Sequence, residues 1–265
     1  MFARHLLPGS GPLAIFSILL ISLFPTVSYC MTLQSVYDAA APLGQYTKYM
    51  ELDGAATYTG GITIPMGEIV CINGHGAILD LQTSTIEILG EWTRLDISHC
   101  VIKNGGLASD GNTKGALNFV VSAGNVVNNT FYANTVGIRV YFSYPGTVTV
   151  MNNLVVGSSI AGLLCQIGNE PNVSYNDSWS NASGNYLIDC GCSGGGIKPW
   201  SPLPGTGEIS ADPLFVNAML DSFHLMPASP CAGAGFPTGT DMGAFDNPTD
   251  LSPVSWGRIK AMFAR

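Results

Sequence analysis

Three consecutive segments decide the fold: NVVNNTFYANTVGIRV (125–140), TVMNNLVVGSSIAGLLC (149–165) and VSYNDSWSNASGNYLID (173–189). They can be laid over one another. In each, an Asn is followed two positions later by Phe131, Val155 or Ser178, and after a short polar turn by Gly137, Gly162 or Gly184. The marker residues Asn129, Asn153 and Asn176 stand 24 and then 23 residues apart, and a fixed period in that range marks a solenoid, propeller or array. Working backwards, LDISHCVIKN (95–104) fits the same frame 30 residues earlier and puts His99 where the Asn stands. The extra residues fall at 105–115, in a turn, where a stacked repeat tolerates insertion.

Within these units the apolar residues alternate, as in Leu95 and Ile97, Ile138 and Val140, Val148 and Val150. Period two with β-branched enrichment reads as strand. No Asn-Gly hairpin separates the strands and no stretch reads as a crossover helix, so the strands repeat without reversing. Inward asparagines in such a coil bond to backbone and to the Asn of the next rung, which satisfies buried amides that would otherwise be costly. His99, Asn129, Asn153 and Asn176 are the expected ladder. On these features the chain resembles the right-handed parallel β-helix repeat proteins, the superfamily that also holds pectate lyases and polygalacturonases. The expected fold is therefore all-β, a single parallel β-helix with short caps at both ends.

The remaining chain is partitioned around that coil. Arg4 and His5, an apolar run from Leu13 to Phe24, Pro25 and small residues up to Ser28 have the layout of a secretory signal peptide over residues 1–28. Export places the chain outside the cell, on its surface or in a periplasm, and the run is too short to span a bilayer. Cys30 leaves lipidation as a second reading of this end. Residues 29–59, including LQSVYDAAAP, are the expected N-terminal cap with a short helix, and 60–190 the rungs. Residues 191–210 are rich in Gly and Pro and read as a surface loop. Residues 211–246 carry DPLF, FHL, SP and DMGAF, which together resemble a closing signature of secreted β-helix proteins. Residues 247–265 end in SWGRIKAMFAR, an amphipathic tail read either as a cap docked on the coil or as a partner-binding segment.

Charge and chemistry narrow the function. Only 11% of the 265 residues are charged and the net charge is −8, which argues against nucleic acid and anionic membranes as partners. Seven cysteines make an odd count; Cys190 or Cys192 with Cys231 is the expected disulfide if one forms. GHG at 74–76 and RIK at 258–260 echo a polygalacturonase, but no two acidic residues are adjacent anywhere and no room precedes Gly74 for that family's carboxylate motifs. His75 then reads as a turn residue.

Two functions from different classes remain. In the first, a secreted or cell-surface protein, expected to be a monomer, binds a polysaccharide or cell-surface glycan on an outward face. Tyr132 and Trp179 occupy the same repeat position two rungs apart, and Arg139 stands outward near Tyr141. In the second, the chain is a polysaccharide lyase, less readily a glycoside hydrolase, with Arg139 as its base. No metal site or cofactor is expected, and calcium would enter only with a lyase. For Arg139 the plainer reading is a cation stacked on tyrosine.

Overall fold

The computed structural model describes residues 31–108, 113–144, 146–191, 196–201 and 205–245. The expected leader, Cys30, Cys192, Arg258–Lys260 and the amphipathic tail lie outside the described residues.

The chain winds through three stacked sheets in a constant order, giving a β-solenoid of about six turns. Each rung visits sheet 2, then sheet 1, then sheet 3. In the fourth rung these strands are Ala123–Val127, Thr130–Tyr132 and Val136–Tyr141. Neighbouring rungs pair in parallel, so inward residues form straight columns. Ile72, Ile97, Val126, Val150 and Val173 make one; Ile88, Phe119, Val140, Cys165 and Ile188 another. β-Branched side chains suit such columns because the pleat holds them against like neighbours above and below. Nearly all are fully buried, each removal from water contributing about 1.5–3 kcal/mol. Cys165 lies in this core beside Val140, as its repeat position requires.

The corner between sheets 2 and 1 is built identically on successive rungs. His99, Asn128, Asn152 and Tyr175 all lie at φ of 54 to 56°, the left-handed region that turns the chain sharply. The residue after each corner points inward. Asn129, Asn153 and Asn176 form the expected ladder: Asn129 Nδ2 donates to Asn153 Oδ1 at 3.2 Å, and Asn153 Nδ2 to Asn176 Oδ1 at 2.9 Å. His99 does not belong to it. His99 occupies the corner, beside Asn128, and Cys100 takes the ladder position, its backbone N–H donating to Asn129 Oδ1 at 3.0 Å. Ile97 pairs with Val126, and a one-residue slip would have turned every side chain of that strand to the wrong face. A second inward column, 24 and 23 residues apart, runs through Asn134, Ser158 and Asn181. Asn134 Oδ1 accepts from Gly105 N–H at 2.8 Å and Asn181 Oδ1 from Ser158 N–H at 2.9 Å.

The N-terminal end is covered by a helix, Leu33–Ala39, capped by Thr32 Oγ1, which accepts from Ser35 N–H at 3.1 Å. Leu33 and Tyr37 are buried against the first rung. That rung starts at Lys48–Glu51, ahead of the expected Gly60, since Met50 and Tyr58 already point into the core. No described helix is long and apolar enough to cross a membrane.

At the other end the Gly/Pro-rich segment is more than a surface loop. Ile197–Pro199 pairs antiparallel with Leu187–Asp189 and covers the edge of sheet 3, an edge position where proline is tolerated. Trp200 packs on the core. Residues 211–245 then run back along the outer face of sheet 1. Phe215–Asn217 and Ser222–Leu225 pair as a small antiparallel ribbon, and Phe223 packs with Val101 and Ala244. Ser229 Oγ donates to Pro213 O at 2.6 Å, and Gly243 lies so close that a Cβ would sit 2.7 Å from Leu154 Cδ1. These contacts give the DPLF, FHL, SP and DMGAF segments their physical purpose.

Candidate functional site

The expected disulfide is not made. Cys190 and Cys231 are both free thiols, Cys190 packed on the main core and Cys231, in the C-terminal segment, packed with Leu154 and Val156 of sheet 1. Cys231 Sγ instead donates to Asp177 Oδ2 at 3.3 Å, which places it in a buried acidic knot. Asp177 points outward from sheet 1, is covered by the C-terminal segment, and accepts from Ala211 N–H at 3.0 Å. Glu208 ends the asparagine ladder, accepting from Asn176 N–H and Nδ2 at 3.1 and 2.9 Å and from the Tyr186 hydroxyl.

Burial pushes the Asp177 carboxyl up to about 6 and that of Glu208 up to about 7, with Asp177 adding to the rise at Glu208. Burial also raises the Tyr186 hydroxyl and the Cys231 thiol. Both carboxyls have folded values above their unfolded ones, so the folded state binds protons that the unfolded chain releases. The stability they contribute is complete below pH ~4 and is lost as pH rises through about 6 and 7. Urea unfolding should therefore show greater stability at pH 5 than at pH 8, by on the order of 1–3 kcal/mol. Asp177→Asn with Glu208→Gln should flatten that slope, and an unchanged slope would refute the assignment.

The anticipated aromatic track has the expected register but not an open surface. Tyr132, Val156 and Trp179 are aligned partners on the outer side of sheet 1. Tyr132 lies under Phe223 and Phe215, with ring centroids 5.1 and 6.3 Å away, and Val156 under Cys231 and Met242. Trp179, at the last rung, remains 38% exposed.

Sheet 3 presents the other set of candidates. Arg139 and Tyr141 stand on the outer side of Val136–Tyr141, with the guanidinium 4.4 Å above the Tyr141 ring centroid. Gln166 lies beside this pair on the next rung, its Oε1 accepting from Phe142 N–H at 3.2 Å, and Asp189 follows it in register. Burial lowers the Arg139 pKa, while Tyr141 and Asp189 favour its charged form. Phe142 packs edge-on against Tyr141 at 4.3 Å. Phe142, Tyr144 and Ile167 are 55%, 72% and 52% exposed. Gln166 and Ile167 do not stand out in the sequence by themselves; aligning 141 with 166 and 189 finds Gln166. His75 lies in a turn and bonds to Glu51, consistent with its plain reading.

The stacked parallel rungs with their corner residues and asparagine ladder now stand beside a family match. Residues 61–192, just under half of the chain, match the family described as periplasmic copper-binding protein (NosD). Over those residues the chain is similar to that family, and its own fold is a parallel β-solenoid of about six turns. No curated protein and no solved structure gives a significant match.

A copper site needs converging Cys, Met or His ligands, and a calcium site several convergent oxygens. Among the described residues of this β-helix no three of His, Cys, Asp or Glu come together in that way. The soft groups are dispersed: Cys231 faces Asp177, Cys100 Sγ faces Ser98 O, His75 faces Glu51, and His224 stacks on Phe245.

Proposed function

We propose that this chain is an exported β-helix protein that binds a polysaccharide or cell-surface glycan as a monomer, on the outer face of sheet 3, without catalysing its cleavage. The observation that carries this reading is the stacked Arg139–Tyr141 pair beside Gln166 and Asp189, bordered by exposed Phe142 and Tyr144. Aromatic faces give a sugar ring apolar area at low entropic cost, and planar guanidinium and amide groups bond its hydroxyls directionally. Aromatic and Arg anchors also dominate binding energy at protein surfaces generally. The similarity to a family described as periplasmic supports export.

Retention of the protein on a panel of immobilised polysaccharides tests the proposal. Tyr141→Ala and Arg139→Ala should each weaken retention by about tenfold or more. Trp179→Ala, on a different sheet, should leave it unchanged. Wild-type retention by Tyr141→Ala would remove this face from the function. Release of unsaturated uronide that disappears with Arg139→Ala would make the face a lyase site instead.

A further inference from the structure

We infer that a second site on this molecule, at the corner between sheets 1 and 3 near the N-terminal end, takes one neutral sugar unit. The inference rests on the glycan-binding reading and adds a ligand class to it. A cavity of about 320 Å³ opens there, lined by Gln34, Thr63, Thr83, Ser84, Thr85 and Lys114. That volume lies at the small end of ligand pockets, suited to a ligand of one ring rather than an oligomer.

Four hydroxyl-bearing residues, Thr63, Thr83, Ser84 and Thr85, line the cavity. A hydroxyl is both donor and acceptor, so a group of them matches a ligand that is itself polyhydroxylated. Leu107, 47% exposed, adds an apolar wall for the C–H face of a ring.

Charge decides between a neutral sugar and a uronate. The cation at the cavity, Lys114, is paired through Nζ with Glu87 Oε1, so the site carries no surplus positive charge. The chain as a whole is at −8. An anionic sugar would need a cation that this site has already neutralised.

The backbone at the cavity is held in an uncommon conformation. Gln82 and Thr83 have φ of 50° and 68°, and a β-branched residue in the left-handed region is an outlier. Thr83 N–H to Asn104 O at 2.7 Å and Ser84 N–H to Leu81 O at 2.8 Å fix it there, beside the cavity. The cavity also shares a face with the first site. Thr63, Glu87, Asn118 and Arg139 are aligned partners on successive strands of sheet 3, so the two sites lie roughly 14 Å apart along the stack.

The test is an NMR titration of the ¹⁵N-labelled chain with D-glucose, D-galactose, D-mannose and D-galacturonate. At least one neutral sugar should shift the amides of Gly61, Ile62, Thr63, Ser84 and Thr85 saturably. The double substitution Ser84→Ala and Thr85→Val should raise its Kd by about tenfold. Shifts from galacturonate alone would overturn the neutral class. No saturable shift from any neutral sugar would overturn the site itself. Retention on polymer and its dependence on Tyr141 are read separately, so either failure leaves the sheet 3 proposal distinguishable from this one.

Discussion

Asn153→Ala should cost about 3–5 kcal/mol of folding free energy, more than the loss of a single hydrogen bond, because Asn153 serves three rungs at once. Its Nδ2 donates to Val126 O at 2.8 Å, Met151 O at 2.9 Å and Asn176 Oδ1 at 2.9 Å. Its Oδ1 accepts from the Asn129 backbone N–H at 2.9 Å and from Asn129 Nδ2 at 3.2 Å. Alanine removes all of these and leaves the Asn129 N–H buried without an acceptor, where water does not reach it. Asn153→Asp tests the same geometry differently. The carboxylate can still accept from Asn129, but it sets a second oxygen against three acceptors. Its destabilisation should be at least as large at neutral pH and should shrink on protonation at acid pH. Urea unfolding and hydrogen exchange at the Asn129 amide measure both. A loss under about 1 kcal/mol for Asn153→Ala would mean that the ladder is decorative.

Phe223→Ala should cost about 3–4 kcal/mol, within the range for removing a fully buried aromatic ring. Phe223 is the wedge of the C-terminal segment on sheet 1, with Tyr132 at 5.1 Å, Phe215 at 5.4 Å, and Val101 and Ala244 against it. The substitution should loosen the segment before the solenoid. Exchange protection should fall first at the amides of Met242, Gly243 and Ala244, which bond to Cys231 O, Asn152 O and Thr130 Oγ1. The inward columns, including Phe119 and Phe131, should keep their protection. As a contrast, Phe142→Ala on the exposed rim should change stability by no more than about 0.5 kcal/mol. Uniform loss of protection through every rung would show that segment and solenoid unfold as one unit.

The coil was legible from residues 125–189 because its constraints are local and repeat. An inward Asn must find partners among its own rung and the next, and an alternating strand must put one face inside. Asn129, Asn153, Asn176, Cys165 and the inward Phe131 could be read from spacing alone. The spacing misplaces His99 because the period breaks there: across the insertion the frame is fixed by the pairing of Arg94–Ser98 with Ala123–Val127, and that is a contact between rungs. Asn134 and Asn181 repeated the same 24- and 23-residue spacing with Ser158 between them, but a serine at the middle rung broke the residue match.

The sequence alone determined which residues face inward, since period, β-branching and amide chemistry act over one or two rungs. It also determined that Tyr132, Arg139 and Trp179 face outward. What only the tertiary structure decided was which outward face stays open. That depends on where residues 211–245 come to lie, and contacts such as Ala244 N–H to Thr130 Oγ1 join positions 114 residues apart. No local pattern encodes such a distance. The same long return placed Cys231 on Asp177 rather than on Cys190, and it laid Phe215 and Phe223 over Tyr132, whereas Arg139 and Tyr141 stack on each other on sheet 3.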